Sequence, residues 1–428
     1  MKTSPYRFKP LNIGRFLIWF LFAVALLVAP LIFRSSLALT MLSQMGYLVI
    51  ICLSYNILLG QGGMLSFGHA VYTGLGSFIA IHAMNMAGHQ VPLVLIPVVG
   101  GLAGMFFAFL FGAVTTKKSG TTFAMITLGI GELVASMALM FPEFFGGEGG
   151  ITTNRVYGSS FLGVTFGPQL EVYYLIAVYC FLCTVAMFAF TGTPLGRILN
   201  AVRDNPERVA FIGYSTQRVR YLAFIIAGFF AGVGGGLATI NFEIVTGADS
   251  LSVLRSGGYL LFTFLGGATF FFGPIIGAVL LVLASVLLSE LTKAWLLYLG
   301  LVFLFMVMYA PGGIASLIMM NLRIAKYGRL RLLLPSYLAL AGTGLVAVFG
   351  AAAMVEMVYH LQLNAALGPE LSFLGMRLDA TSLNSWFGAG LVLVTGLGLF
   401  ELVRRQYAHQ WGEIQEAIEK DIKRAEAM

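Results

Sequence analysis

The stretch GRILNAVRDNPERVAFIGYSTQRVR, residues 196–220, carries seven charged side chains: Arg197, Arg203, Asp204, Glu207, Arg208, Arg218 and Arg220. The 428-residue chain around it is only 10% charged and 59% hydrophobic. Mean hydropathy is +0.90, well outside the range of water-soluble domains. Apolar runs of about 18 or more residues recur, each long enough to cross a hydrocarbon layer roughly 30 Å thick. The chain therefore reads as an all-α polytopic membrane protein. A transmembrane barrel would show strictly alternating segments of about ten residues, and the sequence has none. The 52 glycines suit helices packed closely in lipid.

Apolar runs predict spans near 16–33, 38–59, 64–86, 91–114, 121–141, 171–191, 221–242, 257–272, 275–289, 295–310, 336–358 and 385–403. The piece 257–289 is broken at Gly273-Pro274, so it reads as two spans or as one re-entrant segment. The basic N-terminus followed by run 16–33 reads as an uncleaved first span rather than a signal peptide. With both termini placed in the cytoplasm, all but Arg34, Arg155, Arg255, Lys293 and Arg377 of the 25 Lys and Arg fall inside. That asymmetry obeys the positive-inside rule and favours an even pair of spans in 257–289. It also accounts for the net charge of +7 without nucleic acid as a partner. The expected organisation is a first span in 1–37, a main bundle in 38–315, a basic cytoplasmic connector in 316–334, two extra spans in 335–403 and an amphipathic cytoplasmic tail in 404–428. In that tail Trp411, Ile414, Ile418 and Ile422 recur at helical spacing. This stripe suits the inner membrane surface or a partner; a solvated end is the alternative.

The charged stretch has its own punctuation. Asn205 can cap a helix whose first residue is Pro206, and Glu207 suits the positive end of the helix dipole. Gly213 then ends a helix of about seven residues. On local grounds this is either a purposeful projecting helix or an ordinary capped loop. Cys52, Cys180 and Cys183 lie within apolar runs with no other ligands nearby, which points to packing rather than metal or redox work.

Resemblance separates the two readings of the loop. Ala201-x-Arg203-Asp204-x-x-Glu207-x-x-Ala210-x-x-Gly213, preceded by Pro194-Leu195-Gly196-Arg197, resembles the coupling loop (193–220) of ABC importer permeases. GQGGMLSFGHAVYTGLGSFIA (60–80), TLGIGE (127–132), FFGGEGGI (144–151), AFIIAGFFAGVGGGLA (223–238) and YAPGGI (309–314) follow in matching order. Together they resemble the branched-chain amino acid permease family, the LivM/LivH class, on the LivM side. The resemblance fades after about residue 315, so the last two spans are extra.

The resemblance implies a transmembrane subunit of an importer in a bacterial inner membrane. A second, LivH-like permease would complete the pathway. Two ABC ATPase subunits would dock on the coupling helices, and a periplasmic binding protein would deliver the solute. Arg203, Asp204, Asn205, Glu207, Arg208, Ala210 and Gly213 would form the ATPase-coupling set. The chain contains no Gly-Lys dipeptide and so no P-loop, which leaves ATP and its Mg to the partner subunits and gives the chain no cofactor or enzymatic role of its own. The glycines of 74–76 and 233–236 lie within spans, unlike a dinucleotide fingerprint.

Glu132 is the acid expected at mid-membrane, where a charge costs about 2.5 kcal/mol or more on insertion scales. It is expected either to line the pathway or to make an interhelical contact. Gln61, Ser66 and His69 sit in a glycine-rich interruption, with GGATFFFGP (266–274) similar in the later half. Such interruptions line cavities or allow close packing, and both readings stand. A self-contained secondary transporter or channel is the rival class, and a lone mid-span carboxylate is thin support for its ion-coupling site. A membrane enzyme would need a nucleophile–base or metal constellation that the sequence lacks.

Overall fold

The structure is a computed structural model that describes residues 13–87, 91–157, 165–363, 368–373 and 375–427. In chain order the first helices are α1 (Ile13–Ile32), α2 (Ser36–Asn56), α3 (His69–Ala87), α4 (Ile96–Thr115), α5 (Thr121–Met140) and the single turn α6 (Pro142–Phe145). Then come β1 (Ile151–Thr152), α7 (Gln169–Gly192), α8 (Pro194–Asp204), α9 (Pro206–Phe211), α10 (Thr216–Phe242), β2 (Ile244–Val245), α11 (Gly247–Ser250), α12 (Val253–Gly266), α13 (Gly273–Leu283), α14 (Ser289–Leu291) and α15 (Trp295–Tyr309). The chain closes with α16 (Gly313–Lys326), α17 (Leu330–Leu363), β3 (Glu370–Phe373), β4 (Met376–Asp379) and α18 (Leu383–Ala427).

A helix stands at every expected span, and the all-α polytopic class holds. Among the described residues eight helices are long and apolar enough to cross a membrane, and the bent pair α15–α16 makes a ninth. Of the expected ten plus two, α1, α3 and α12 stand outside that count. α12 has 14 residues, a rise of about 21 Å against a layer of about 30 Å. The helix expected from residue 64 begins only at His69. α3 packs against α4, α5, α10 and α12, and this enclosure lets it carry His69, Thr73 and Ser77 buried.

The chain divides into two compact units, residues 1–288 with 302–316, and residues 289–301 with 317–428. The centre of the first unit is α10, which packs on α2, α3, α4 and α8. Its glycine run serves three neighbours in turn. A Cβ on Gly232 would stand 2.2 Å from the Gly100 carbonyl oxygen of α4, one on Gly234 2.4 Å from Ile51 of α2, and one on Gly235 2.1 Å from the Thr73 carbonyl oxygen of α3. Helix backbones in contact at this range explain the glycine content. The segment 257–289 resolves as a helical hairpin: Gly266 meets Gly273 and Phe262 meets Gly277, so α12 and α13 run antiparallel.

In the second unit α17 and α18 pack antiparallel, with Gly350 against Leu393 and Gly396 against Ala347. The β3–β4 hairpin joins them, and the Thr381 hydroxyl and backbone N–H hold the Asp379 carboxyl below its usual range. The expected tail is not a separate element. It is the end of α18, 45 residues long, and its stripe is covered within the chain itself. Ile414 and Ile418 bury against Ile324 of α16 and Leu333 of α17, so the connector supplies the partner that the sequence left open. The side chain of Ile422 lies outside the described residues.

Candidate functional site

The charged stretch folds as two short helices. α7 stops at Gly192, and Thr193, extended at φ −71° and ψ 159°, accepts from the Gly196 N–H at 3.2 Å, with Pro194 in the first turn. This opens α8, which the sequence reading missed although Thr-Pro is the same start signal as Asn-Pro. Asn205 then breaks the chain again and accepts from the Arg208 N–H at 2.9 Å, as expected of a cap. α9 runs six residues, and Gly213 leaves it at φ +94°. Ser215 caps α10.

Leu199, Val202 and Val209 face inward. Asp204, Asn205, Glu207, Arg208, Ala210 and Gly213 are exposed. The conspicuous residues here are ones the sequence reading passed over. Phe211 is 89% exposed and Ile212 68% exposed, beside exposed Tyr214, on a segment of polar helices. A bare phenyl and sec-butyl stand out against the charged side chains around them. Their one sequence signal is their place immediately before the left-handed Gly213.

Arg203 is exposed as well, yet its side chain reaches back to the bundle. Its guanidinium donates to the Gly60 carbonyl oxygen at 2.5 Å and to Asp204 Oδ1 at 2.9 Å, with its stem against Gly63. Gly60 belongs to a π-helical turn, Ile57–Gln61, that ends α2. A Cβ on Gly60 would stand 2.1 Å from the Ala268 carbonyl oxygen and 2.2 Å from Asn56 Oδ1. The two glycine-rich interruptions therefore touch each other, and α8 is fastened to the first of them. A third break joins here: Gly313, at φ +70°, closes on Gly267, at φ +113°.

Of the expected pathway residues, Gln61 is half-buried on the π turn, while Ser66 and His69 are wholly enclosed. The Ser66 backbone is gripped by the Tyr55 hydroxyl, which donates to its carbonyl at 2.8 Å and accepts from its N–H at 3.2 Å. Ser54 donates its single proton to the Ile51 carbonyl, so at 2.8 Å it accepts from His69 Nε2–H, leaving Nδ1 bare. That Nδ1 has no partner among the described residues. Glu132 is not brought to this cluster. Thr127 and Gly131 of α5 face Phe67 and Gly68, whereas Glu132 lies on the opposite, exposed face with Met125, Gly129 and Ser136. Glu132 makes no hydrogen bond or ion pair within this chain among the described residues.

At the far end of α10, Arg155 ties down the loop after α6. Its guanidinium donates to the Ile240, Asn241 and Gly167 carbonyls and to Gln169, and its N–H donates to Glu243 Oε1 at 2.8 Å. A cation at a helix C-terminus complements the helix dipole. β1 pairs antiparallel with β2 beside it, Ile151 opposite Val245.

Several known permeases are similar to this chain. The high-affinity branched-chain amino acid transport system permease protein LivM of Escherichia coli is 28% identical over 335 residues, 71% of this chain and 76% of that protein. LivM of Salmonella typhimurium is 28% identical over 64% of this chain and 69% of its own length. The ribose import permease protein RbsC of Haemophilus influenzae is 22% identical over 66% of this chain and 87% of its own. No solved structure matches. Residues 37–311, which hold the glycine-rich breaks, the α8–α9 segment and the α10 core, match one family throughout, and the chain belongs to it: the permease component of the branched-chain amino acid transport system.

Proposed function

We propose that this chain is the LivM-like half of an ATP-driven importer for branched-chain or related amino acids in a bacterial inner membrane, with both termini cytoplasmic. A LivH-like permease completes the pathway, two ATPase subunits supply the energy and a periplasmic binding protein supplies the solute. The carrying observation is the α8–α9 segment: capped at both starts, fastened to the bundle through Arg203, and presenting Phe211 and Ile212 to the outside. The exposed pair seats in an apolar groove of the ATPase, and Asp204, Glu207 and Arg208 set its register. Glu132, on the outer face of α5, lines the pathway shared with the second permease.

Cargo identity rests on the relatives named for branched-chain amino acids, and a ribose import permease stands among the relatives too. The test is Phe211→Asp in the reconstituted complex. Uptake is expected to fall at least tenfold while the two permease chains still co-purify. Wild-type uptake by that variant would overturn the docking assignment.

A further inference from the structure

A second polar feature lies at the end of the first unit opposite α8–α9. There α2, α3, α10 and α12 enclose a cavity of about 220 Å³, with β2 and α11 against its mouth. That is below the roughly 300–1,000 Å³ of drug-sized pockets and suits a single small metabolite. It is formed inside one permease chain.

Its lining has a definite chemical order. Arg255 and Asp249 stand at the rim, paired with each other and each partly open to solvent. Deeper in, three buried hydroxyls have their protons engaged by backbone carbonyls: Thr73 donates to Ala70 at 3.0 Å, Ser77 to Gly235 at 2.9 Å and Thr239 to Gly235 at 3.1 Å. Each oxygen is thereby left as an acceptor only, and that of Thr73 is already taken by the Tyr259 hydroxyl. The Tyr47 hydroxyl, on a residue 5% exposed, has no hydrogen-bond partner among the described residues. Ile51, Phe242 and Val245 supply an apolar wall.

A cation, a carboxylate, hydroxyl oxygens of Ser77 and Thr239 left as acceptors, and an apolar wall within one small cavity match one ligand class. We propose that this cavity binds a free α-amino acid with a small aliphatic side chain, as the zwitterion. The ligand carboxylate pairs with Arg255 in a bidentate fork and accepts from the Tyr47 hydroxyl. The ammonium meets Asp249 and the acceptor hydroxyls, and the side chain lies on Ile51, Phe242 and Val245. One ion pair within the protein is exchanged for two with the ligand. An anion or a cation alone satisfies only half of this lining and leaves a charge of the pair unmatched, which is the physical basis of selection. The site deepens the import reading and rests on it for its place along the route, but binding is a property of this chain.

The test is equilibrium binding of radiolabelled leucine to the purified full chain in lipid nanodiscs, without ATPase or binding protein. Saturable binding is expected, unaffected by tenfold excess of 4-methylpentanoate, isopentylamine or ribose. Arg255→Gln and Asp249→Asn each weaken it at least tenfold. Ala238→Phe fills the cavity without touching a charge, and it abolishes binding while melting stays as in wild type. Absence of saturable binding in the wild type, equal competition by the singly charged analogues, or wild-type affinity in a folded Ala238→Phe each overturn the proposal. Uptake by the complete complex is measured alongside. Binding without uptake counts against the importer reading alone, and uptake without binding counts against this site alone.

Discussion

The Arg203 guanidinium, on the helix expected to meet a soluble motor, donates to the backbone carbonyl of Gly60 inside the first glycine-rich interruption, at 2.5 Å. That interruption in turn lies against the Ala268 carbonyl of the second. A displacement of α8 therefore pulls on the end of α2 through a charged hydrogen bond, of a kind worth about 1.5–3 kcal/mol. Arg203→Ala is expected to leave the complex assembled and hydrolysing ATP, with the ratio of solute imported to ATP consumed lowered several-fold. Arg203→Lys retains the charge but not the reach of the fork and falls between. An unchanged ratio in Arg203→Ala would show that the contact transmits nothing.

The α10 glycines make a sharper prediction about stability. Gly232→Ala places a methyl 2.2 Å from the Gly100 oxygen and 2.9 Å from its carbon, both backbone atoms that no rotamer change can move. Overpacking of this kind costs about 1–3 kcal/mol, and the thermal midpoint of the purified chain is expected to drop by several degrees. Gly258→Ala on α12 meets nothing within 4 Å, and there the midpoint holds or rises because the helix gains propensity. Equal midpoints for the two variants would contradict the packing of α4 on α10.

What the sequence disclosed is what short range determines. Asn205-Pro206 and Gly213 announced α9 because capping and a left-handed exit involve neighbours three residues apart. The burial of Ser66 and His69 was not legible, since it depends on Tyr55 and on Thr127, which is 60 residues from Phe67. The face of α5 that Glu132 occupies was equally hidden, because a nearly all-apolar helix gives no periodicity to orient it. The stripe of α18 was plain, yet its partners Ile324 and Leu333 are about 80 to 95 residues upstream in sequence.

Glu132 and Gly129 share the open face of α5, where a Cβ added to Gly129 would meet nothing within 4 Å. Glu132→Gln is accordingly expected to leave the melting of the isolated chain within about 0.5 kcal/mol of wild type, as exposed substitutions do. Uptake by the assembled complex should fall about tenfold. A drop in the stability of the isolated chain would place the carboxylate in an internal contact instead.

Arg155 donates five hydrogen bonds from the loop after α6: two to Ile240 and Asn241 carbonyls that the C-terminus of α10 leaves free, one to Glu243, and two to Gly167 and Gln169 at the start of α7. Arg155→Ala removes the side-chain bonds and keeps only the backbone N–H to Glu243. Hydrogen exchange at residues 151–155 and 243–245 is expected to accelerate at least tenfold, because the two-residue β1–β2 pairing is too short to persist unaided. Exchange in the middle of α10 should stay as it is, since that segment is held by α4 and α3 and not by the loop. Uniform acceleration along α10 would instead mean that Arg155 supports the bundle as a whole.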